Sequence, residues 1–336
     1  MGECSFPAEW EKQDAILMAF PHKNTDWVYD LKRALTPFVQ IASSVAYNQP
    51  VIIVCDDEKA TKKLFCETRN ITFVKLPTND TWIRDFGAIS IYVNGKRKFL
   101  DFRFNAWGDK FESTLDNAVT KQLVKKGYLY GNYEEVDFVL EGGSIESDGK
   151  GTLLTTSKCL LNTNRNTELT KKQIEEFLKK RFCLKQILWL DYGELEGDDT
   201  DGHIDTLARF VDEETIAYVS CDDSKDSCYD ELKKMKEQLK SFRTINKKPY
   251  RLIPLPLPSP KFKNKKRLPA TYANFLITNH SVLLPIYKDQ KDKETIKLFK
   301  ELFPSKEIIP INCLKLIEQG GSLHCVTMQI PKYQQG

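Results

Sequence analysis

The chain has 336 residues, 41% of them apolar and 29% charged, with a net charge of +3. That is enough apolar material for a sizeable core, in one large α/β domain or two smaller ones. The even charge balance, with no arginine-rich or aromatic-basic stripe, argues against a nucleic-acid partner, and no apolar stretch approaches the ~20 residues of a membrane span.

From the N-terminus, Met1-Gly-Glu-Cys-Ser-Phe-Pro has no basic segment followed by an apolar run, so no signal peptide is expected. Gly2 follows the initiator, but Phe6 stands where a myristoylation site has Ser or Thr. Apolar, β-branched runs between turn residues predict strands, and amphipathic stretches predict helices. In order these are a strand over Ala15–Phe20, a helix over Asp26–Ala46, and strands over Val51–Cys55 and Ala88–Val93. A helix over Ser113–Lys126, a strand over Thr152–Thr156 and a helix over Thr167–Arg181 follow. Strands over Thr206–Val211 and Thr215–Ser220 precede a helix over Ser224–Phe242. Strands over Phe275–Thr278 and Val282–Ile286 and a helix over Asp292–Phe303 complete an α/β pattern. The Pro- and Lys-rich stretch from Ile253 to Pro269 reads as extended or loop, because proline removes donors and fixes φ. We take it as a surface loop, which leaves residues 1–336 as one domain.

Five segments share one plan: a Gly- or Asp-rich turn, a strand, a tight polar turn, a second strand. They start at Asp85, Glu141, Gly202, Tyr272 and Gly320, at intervals of 56, 61, 70 and 48 residues. A drifting period of this kind suggests a repeated unit with helices between hairpins. Nine cysteines, at positions 4, 55, 66, 159, 183, 221, 228, 313 and 325, are odd in number and show no CxxC pair. They read as reduced thiols in a cytoplasmic protein, without a disulfide framework or zinc ribbon.

The turns opening four of these hairpins carry polar residues that a fold does not require: Asp85, Glu141, His203 with Asp205, and Cys325. If the repeats surround a common axis, these residues converge. His203 and Asp205, two apart at the start of a strand-like run, would point to one face. His324 and Cys325 are neighbours, and strand neighbours face opposite ways, so the base serving Cys325 must be a distant histidine. His203 is that candidate, while His22 and His280 read as incidental. A Cys–His site needs one orienting acid, yet here there are three. Buried acids are costly without a cation, no Lys or Arg stands beside all three, and Arg84 is expected to point away from Asp85. The substrate would be the missing cation: a planar guanidinium pairs with carboxylates through parallel hydrogen bonds.

Taken in order, Phe6-Pro-Ala-Glu-Trp-Glu, Thr81-Trp-Ile-Arg-Asp-Phe-Gly, Arg103-Phe-Asn-Ala-Trp-Gly, Leu140-Glu-Gly-Gly, Thr200-Asp-Gly-His-Ile-Asp, Tyr272-Ala-Asn-Phe and Gly320-Gly-Ser-Leu-His-Cys-Val-Thr resemble the agmatine deiminase family, one of the guanidine-modifying enzymes. The likeness runs from Phe6 to about Pro331. It implies the pentein fold, a five-bladed pseudo-symmetric α/β propeller with the active site on its axis. It implies Cys325 as nucleophile, His203 as acid–base residue, Asp85 and Asp205 as the carboxylates gripping the guanidinium, and Glu141 as the acid beside the histidine. Trp82 and Trp107 match aromatic positions that would line the alkyl chain of the substrate. The implied reaction is hydrolysis of agmatine, without metal or organic cofactor, in a protein whose relatives are often homo-oligomers. Gln319, Ser322, Met328 and Phe20 depart from the usual pattern without removing a catalytic group. Alternatives are the same chemistry on peptidyl-arginine or free arginine, a metal hydrolase using His203, Asp205 and Cys325, and a non-catalytic polyamine-binding protein. Four histidines without HExxH-like spacing argue against the metal hydrolase.

Overall fold

Each of five successive units folds as an antiparallel hairpin, a helix, and a third strand parallel to the second. The computed structural model describes residues 4–333, so Gly2 lies outside the described residues. The first unit comprises Ile89–Val93, Lys96–Arg103, the helix Thr114–Lys125 and Asn132–Val139. The second comprises Ile145–Ser147, Thr152–Thr156, the helix Lys171–Phe182 and Gln186–Leu190. The third comprises Ala208–Asp212, Thr215–Ser220, the helix Tyr229–Ser241 and Arg251–Pro256. The fourth comprises Leu276–Ile277, Ser281–Ile286, the helix Asp292–Leu302 and Glu307–Asn312. The fifth joins both ends of the chain. Met328–Pro331 pairs antiparallel with Gln13–Ala19, and Val51–Cys55 and Ile71–Lys75 add parallel strands after the helix Leu31–Ala46. Backbone hydrogen bonds therefore close a five-unit propeller.

The helices form because each carries one apolar stripe. Lys171–Phe182 buries Ile174, Leu178 and Phe182, spaced four apart on one face. A capping box of Thr170 and Gln173 starts that helix, and Cys183 ends it in the left-handed region. Burying each such side chain contributes about 1.5–3 kcal/mol.

Several boundaries differ from the sequence reading. His203 and Asp205 do not open a strand: Ile204–Thr206 is a 3-10 turn, and the strand begins at Ala208. His324 and Cys325 likewise occupy a 3-10 turn, His324–Val326, so strand alternation does not govern where they point. Comparable turns, Ile83–Phe86 and Gly142–Ser144, precede the first strands of the first two units. The proline-rich stretch is not simply loop. Arg251–Pro256 is an edge strand, where Pro254 and Pro256 cost no ladder bond on the open side, and Lys261–Lys263 pairs with Lys266–Leu268 as a hairpin. The cysteines are not all free: Cys4 is bonded to Cys183, 179 residues away, tying the N-terminal strand to the second unit's helix. Composition cannot reveal such a pair, because it needs only two Cα atoms brought within reach. Among the described residues, no helix is long and apolar enough to cross a membrane.

Candidate active site

The five inner turns meet in the middle of the propeller, and each delivers different chemistry. Cys325 is 5% exposed, with its Sγ 3.4 Å from Asn274 Nδ2 and 3.9 Å from Asp205 Oδ2. Asn274 Oδ1 accepts the backbone N–H of His324 at 2.8 Å and fixes the turn that presents the thiol. Asp85 Oδ1 accepts from Gly143 N at 3.0 Å, and its Oδ2 accepts from Trp107 Nε1 at 3.0 Å. His203 Nδ1 lies 3.6 Å from Asp85 Oδ1, and neither ring nitrogen has a hydrogen-bond partner among the described residues. Gly143 marks how tightly these groups converge. A Cβ there would lie 2.7 Å from His203 Nδ1, 2.8 Å from Asp85 Oδ1 and 3.1 Å from Asp205 Oδ2, so no larger residue fits.

A cavity of ≈ 340 Å³ leads to Cys325, with Asp85, Trp82 and Trp107 on its walls. Ala106, Trp107 and Asp109 all have positive φ, and this strained loop turns the Trp107 indole toward Asp85. Trp82 packs against Gly321, where a Cβ would lie 2.2 Å from the ring, and its Nε1 donates to Asp80 at 3.1 Å. The charged side chains lining the cavity are Asp26, Asp80, Asp85, Asp199 and Glu318 against the single Lys266. Glu318 is already paired with Lys263 and Lys315.

Burial alone would depress the His203 pKa, but Asp85, Cys159 and Glu141 outweigh it and raise it well above that of an ordinary imidazole. These neighbours favour the protonated form of His203. Burial, Asp205 and Asp85 push the Cys325 thiol well above its usual value, which favours its protonated form. Burial, with Asp205 and Glu141 adding to it, lifts Asp85 to about 6 despite His203 and Trp107.

The structure thus places Cys325, Asp205, Asp85 and His203 together, with Trp82 and Trp107 along the approach. Glu141 sits beside His203, but its cation is built in. Arg165 Nε donates to Glu141 Oε1 and Oε2 at 2.9 and 3.0 Å, with both side chains fully buried. Of the three acids Arg165 serves Glu141, which it reaches from the segment after the second unit's hairpin. Arg84 does turn away from Asp85, donating to Gln329 at 2.6 Å. The ligand-type atoms of Glu141, Cys159 and His203 lie within 4.8 Å of one another. The Arg165 guanidinium already occupies both oxygens of that carboxylate, which disfavours a metal cation there. Sequence reasoning missed Asn274, Arg165, Glu9 and the bonded role of His324. Asn274 stood in the Tyr272-Ala-Asn-Phe motif, at the one repeat for which no site residue was named.

The family model for Porphyromonas-type peptidyl-arginine deiminases matches residues 5–331. A Legionella pneumophila protein provisionally named agmatine deiminase is 34% identical over 333 residues, spanning 97% of this chain and 94% of its own. A solved structure provisionally described as a peptidyl-arginine deiminase is 47% identical with a TM-score of 0.96, spanning 99% of this chain and 100% of its own. A cysteine-to-serine variant of Campylobacter jejuni agmatine deiminase with substrate bound is 43% identical with a TM-score of 0.95, spanning 99% and 98%.

Proposed function

The chain belongs to the Porphyromonas-type peptidyl-arginine deiminase family, and from that premise we propose that it hydrolyses agmatine to N-carbamoylputrescine and ammonia. The observation that carries the substrate choice is the acid-lined cavity ending at Cys325, with one lysine among its charged walls. Agmatine is a cation at both ends. Its guanidinium meets Asp85 and Asp205, and its ammonium meets Asp80, Asp26 and Asp199 near the mouth. Free arginine would bring a carboxylate against those acids, and an arginyl peptide would leave them facing neutral amides. Trp82 and Trp107 line the path of the methylene chain.

In this reading, the bound guanidinium offsets the carboxylates that hold the Cys325 proton, and the thiolate attacks the guanidinium carbon. Protonated His203 gives its proton to the departing ammonia, leaving an amidino-thioether on Cys325. Neutral His203 then takes a proton from the water that attacks the same carbon. The C–S bond breaks, the hydroxyl proton of the adduct returns to the Cys325 thiolate, the neutral ureido product leaves, and the proton first released from the thiol leaves with ammonia as ammonium. Glu141, neutralised by Arg165, supports His203 from behind. A cytoplasmic setting belongs to the same proposal, since Cys325 must stay a free thiol. Thiol-trapping mass spectrometry on protein taken straight from cells tests it, and a closed Cys4–Cys183 bond there would count against that compartment.

The peptidyl-arginine alternative is favoured by the family description, so the test sets the two side by side. A ureido colour assay on agmatine, free arginine and arginyl peptides should show agmatine as the best substrate. Mass spectrometry of enzyme trapped with agmatine should find an amidino adduct on Cys325. Faster citrulline formation from the peptides would overturn the substrate assignment, and an unmodified Cys325 would overturn the mechanism.

A further inference from the structure

Behind Asp205 lies a buried chain of groups that the reaction above does not use. Glu9, from the N-terminal Phe6–Glu11 motif, inserts into the propeller from its N-terminal segment. Its Oε1 accepts the backbone N–H of Ile277 at 2.7 Å, in the fourth unit. Its Oε2 lies 2.6 Å from His324 Nε2, 3.1 Å from Arg209 Nη2 and 3.6 Å from Arg84 Nη2. The other nitrogen of His324, Nδ1, lies 2.7 Å from Asp205 Oδ2. Glu9, His324 and Asp205 are all buried, and Asp205 Oδ1 has no partner among the described residues.

Two contacts this short cannot both form on a neutral imidazole. That ring carries one N–H, so one contact would set a bare lone pair against a carboxylate. A proton is needed in each, so the triad Glu9–His324–Asp205 holds two protons. Three acids, Glu9, Glu146 and Asp205, face the two guanidiniums of Arg84 and Arg209, and Arg209 Nε contacts Glu146 directly. Burial lifts Glu146 to about 7, so the two short contacts on His324, and not the charge balance, require the second proton. Burial pushes Glu9 up, but His324, Arg209 and Arg84 outweigh it and hold its carboxyl well below the usual range. Burial, Arg209 and Arg84 pull His324 below an ordinary imidazole, against Glu9 and Asp205, so the geometry of the two short contacts alone carries the second proton.

We propose that Glu9 and His324 are positioning residues of the active site, locking one oxygen of Asp205 in a two-proton relay so that the other is left for the guanidinium. This rests on the agmatine reading for its substrate, but not for the relay itself. It also explains why the N-terminal motif reaches the centre of the propeller. Without Glu9, the imidazole adjoining Cys325 could exchange tautomers and release Asp205.

The test uses the full chain, agmatine kinetics and NMR. His324→Leu removes the donor to Asp205 at similar volume and should raise KM by ~10- to ~100-fold, with kcat less changed, because Asp205 is no longer held in place to hydrogen-bond the charged guanidinium in the ground state. His324→Asn keeps a carboxamide nitrogen near the place of Nδ1 and should restore most of that loss, which a merely structural role would not predict. In the unmodified protein labelled with 15N-histidine, His324 should show two strongly deshielded exchangeable protons that persist as pH rises. Glu9→Gln should remove the one at Nε2. Equal KM values for the Leu and Asn variants, or a single such proton in the unmodified protein, would overturn the proposal. Should His324→Leu fail to fold, the NMR count and Glu9→Gln still decide. If the unmodified enzyme makes no ureido product from agmatine, the substrate reading fails, while the proton count tests the relay independently.

Discussion

Arg165 gives the sharpest prediction, because every donor of its guanidinium region is engaged inside the protein. Besides its bonds to Glu141, Nη1 donates to Asn164 Oδ1 and Asp201 Oδ2 at 2.8 Å each, and Nη2 donates to the Thr200 carbonyl at 3.1 Å. The side chain is 0% exposed, as is that of Glu141. Arg165→Met leaves Glu141 as a stranded buried carboxylate. Breaking a buried pair in this way costs about 3–5 kcal/mol, far more than an exposed ion pair. At an unfolding entropy of about 2.1 cal/mol/K per residue, a chain of this length should lose ~4 to ~7 °C in Tm. Glu141→Gln added to Arg165→Met removes the stranded charge and should recover part of the loss. A double-mutant cycle by urea denaturation would then give a coupling of about 1–3 kcal/mol. Turnover should fall in the single variant, because Thr200 and Asp201 lead directly into His203. A single variant within ~1 °C of the unmodified protein, or a cycle without coupling, would refute the reasoning.

Two further predictions concern pH. Burial and Asp26 lift Asp80, in the cavity wall, to about 7. The KM for agmatine, relative to a butylguanidine that lacks the ammonium, should fall as pH rises through 7 and Asp80 ionises. Asp80→Asn should abolish that relative change, and a slope surviving the substitution would sink the assignment. Burial also lifts Asp101 and Asp116 to about 7, although Tyr133 donates to the first and backbone N–H groups to the second. Between about pH 4 and pH 7 the folded chain holds protons that the unfolded chain has released, so stability falls as pH rises across that window. Tm should be higher near pH 5.5 than near pH 7.5, and Asp101→Asn should flatten part of the slope. A Tm rising over the same interval would contradict those shifts.

The hairpins and helices were legible because they carry the propeller's apolar burial. The helix Asp292–Leu302 lies within one residue of its predicted end, and Thr152–Thr156 coincides with its predicted range. The third strands were not legible: Asn132–Val139 and Arg251–Pro256 are edge strands, half exposed and rich in charge or proline, so neither period nor composition marks them. Cys325, His203, Asp85 and Asp205 were readable as polar residues in turns that a fold does not need. Arg165 was hidden because its acid partner lies 24 residues upstream, across a hairpin. His324 was misread through a local assumption. Strand alternation kept it away from Cys325, and the structure does direct it to Asp205 and Glu9, but from a 3-10 turn whose side chains do not alternate.

The resting state of Cys325 yields a last prediction that runs against ordinary thiol chemistry. Its pKa is raised by burial, Asp205 and Asp85, two of them the groups that would hold the substrate. On the proposed mechanism, the carboxylates that would receive the guanidinium therefore also keep the Cys325 thiol silent while the site is empty. A cation between them cancels that effect and adds its own attraction for the thiolate, so activation is tied to occupancy. A neutral haloacetamide should react slowly with Cys325 at neutral pH, whereas a cationic haloacetamidine of the same size should react much faster. Asp85→Asn should speed the neutral reagent, because one charge opposing ionisation is gone, while abolishing turnover of agmatine. Rates followed by mass spectrometry of the Cys325 peptide separate the cases. If Asp85→Asn slows both reagents equally, Asp85 shapes the site without setting the thiol's charge, and coupling between binding and ionisation is lost from the mechanism.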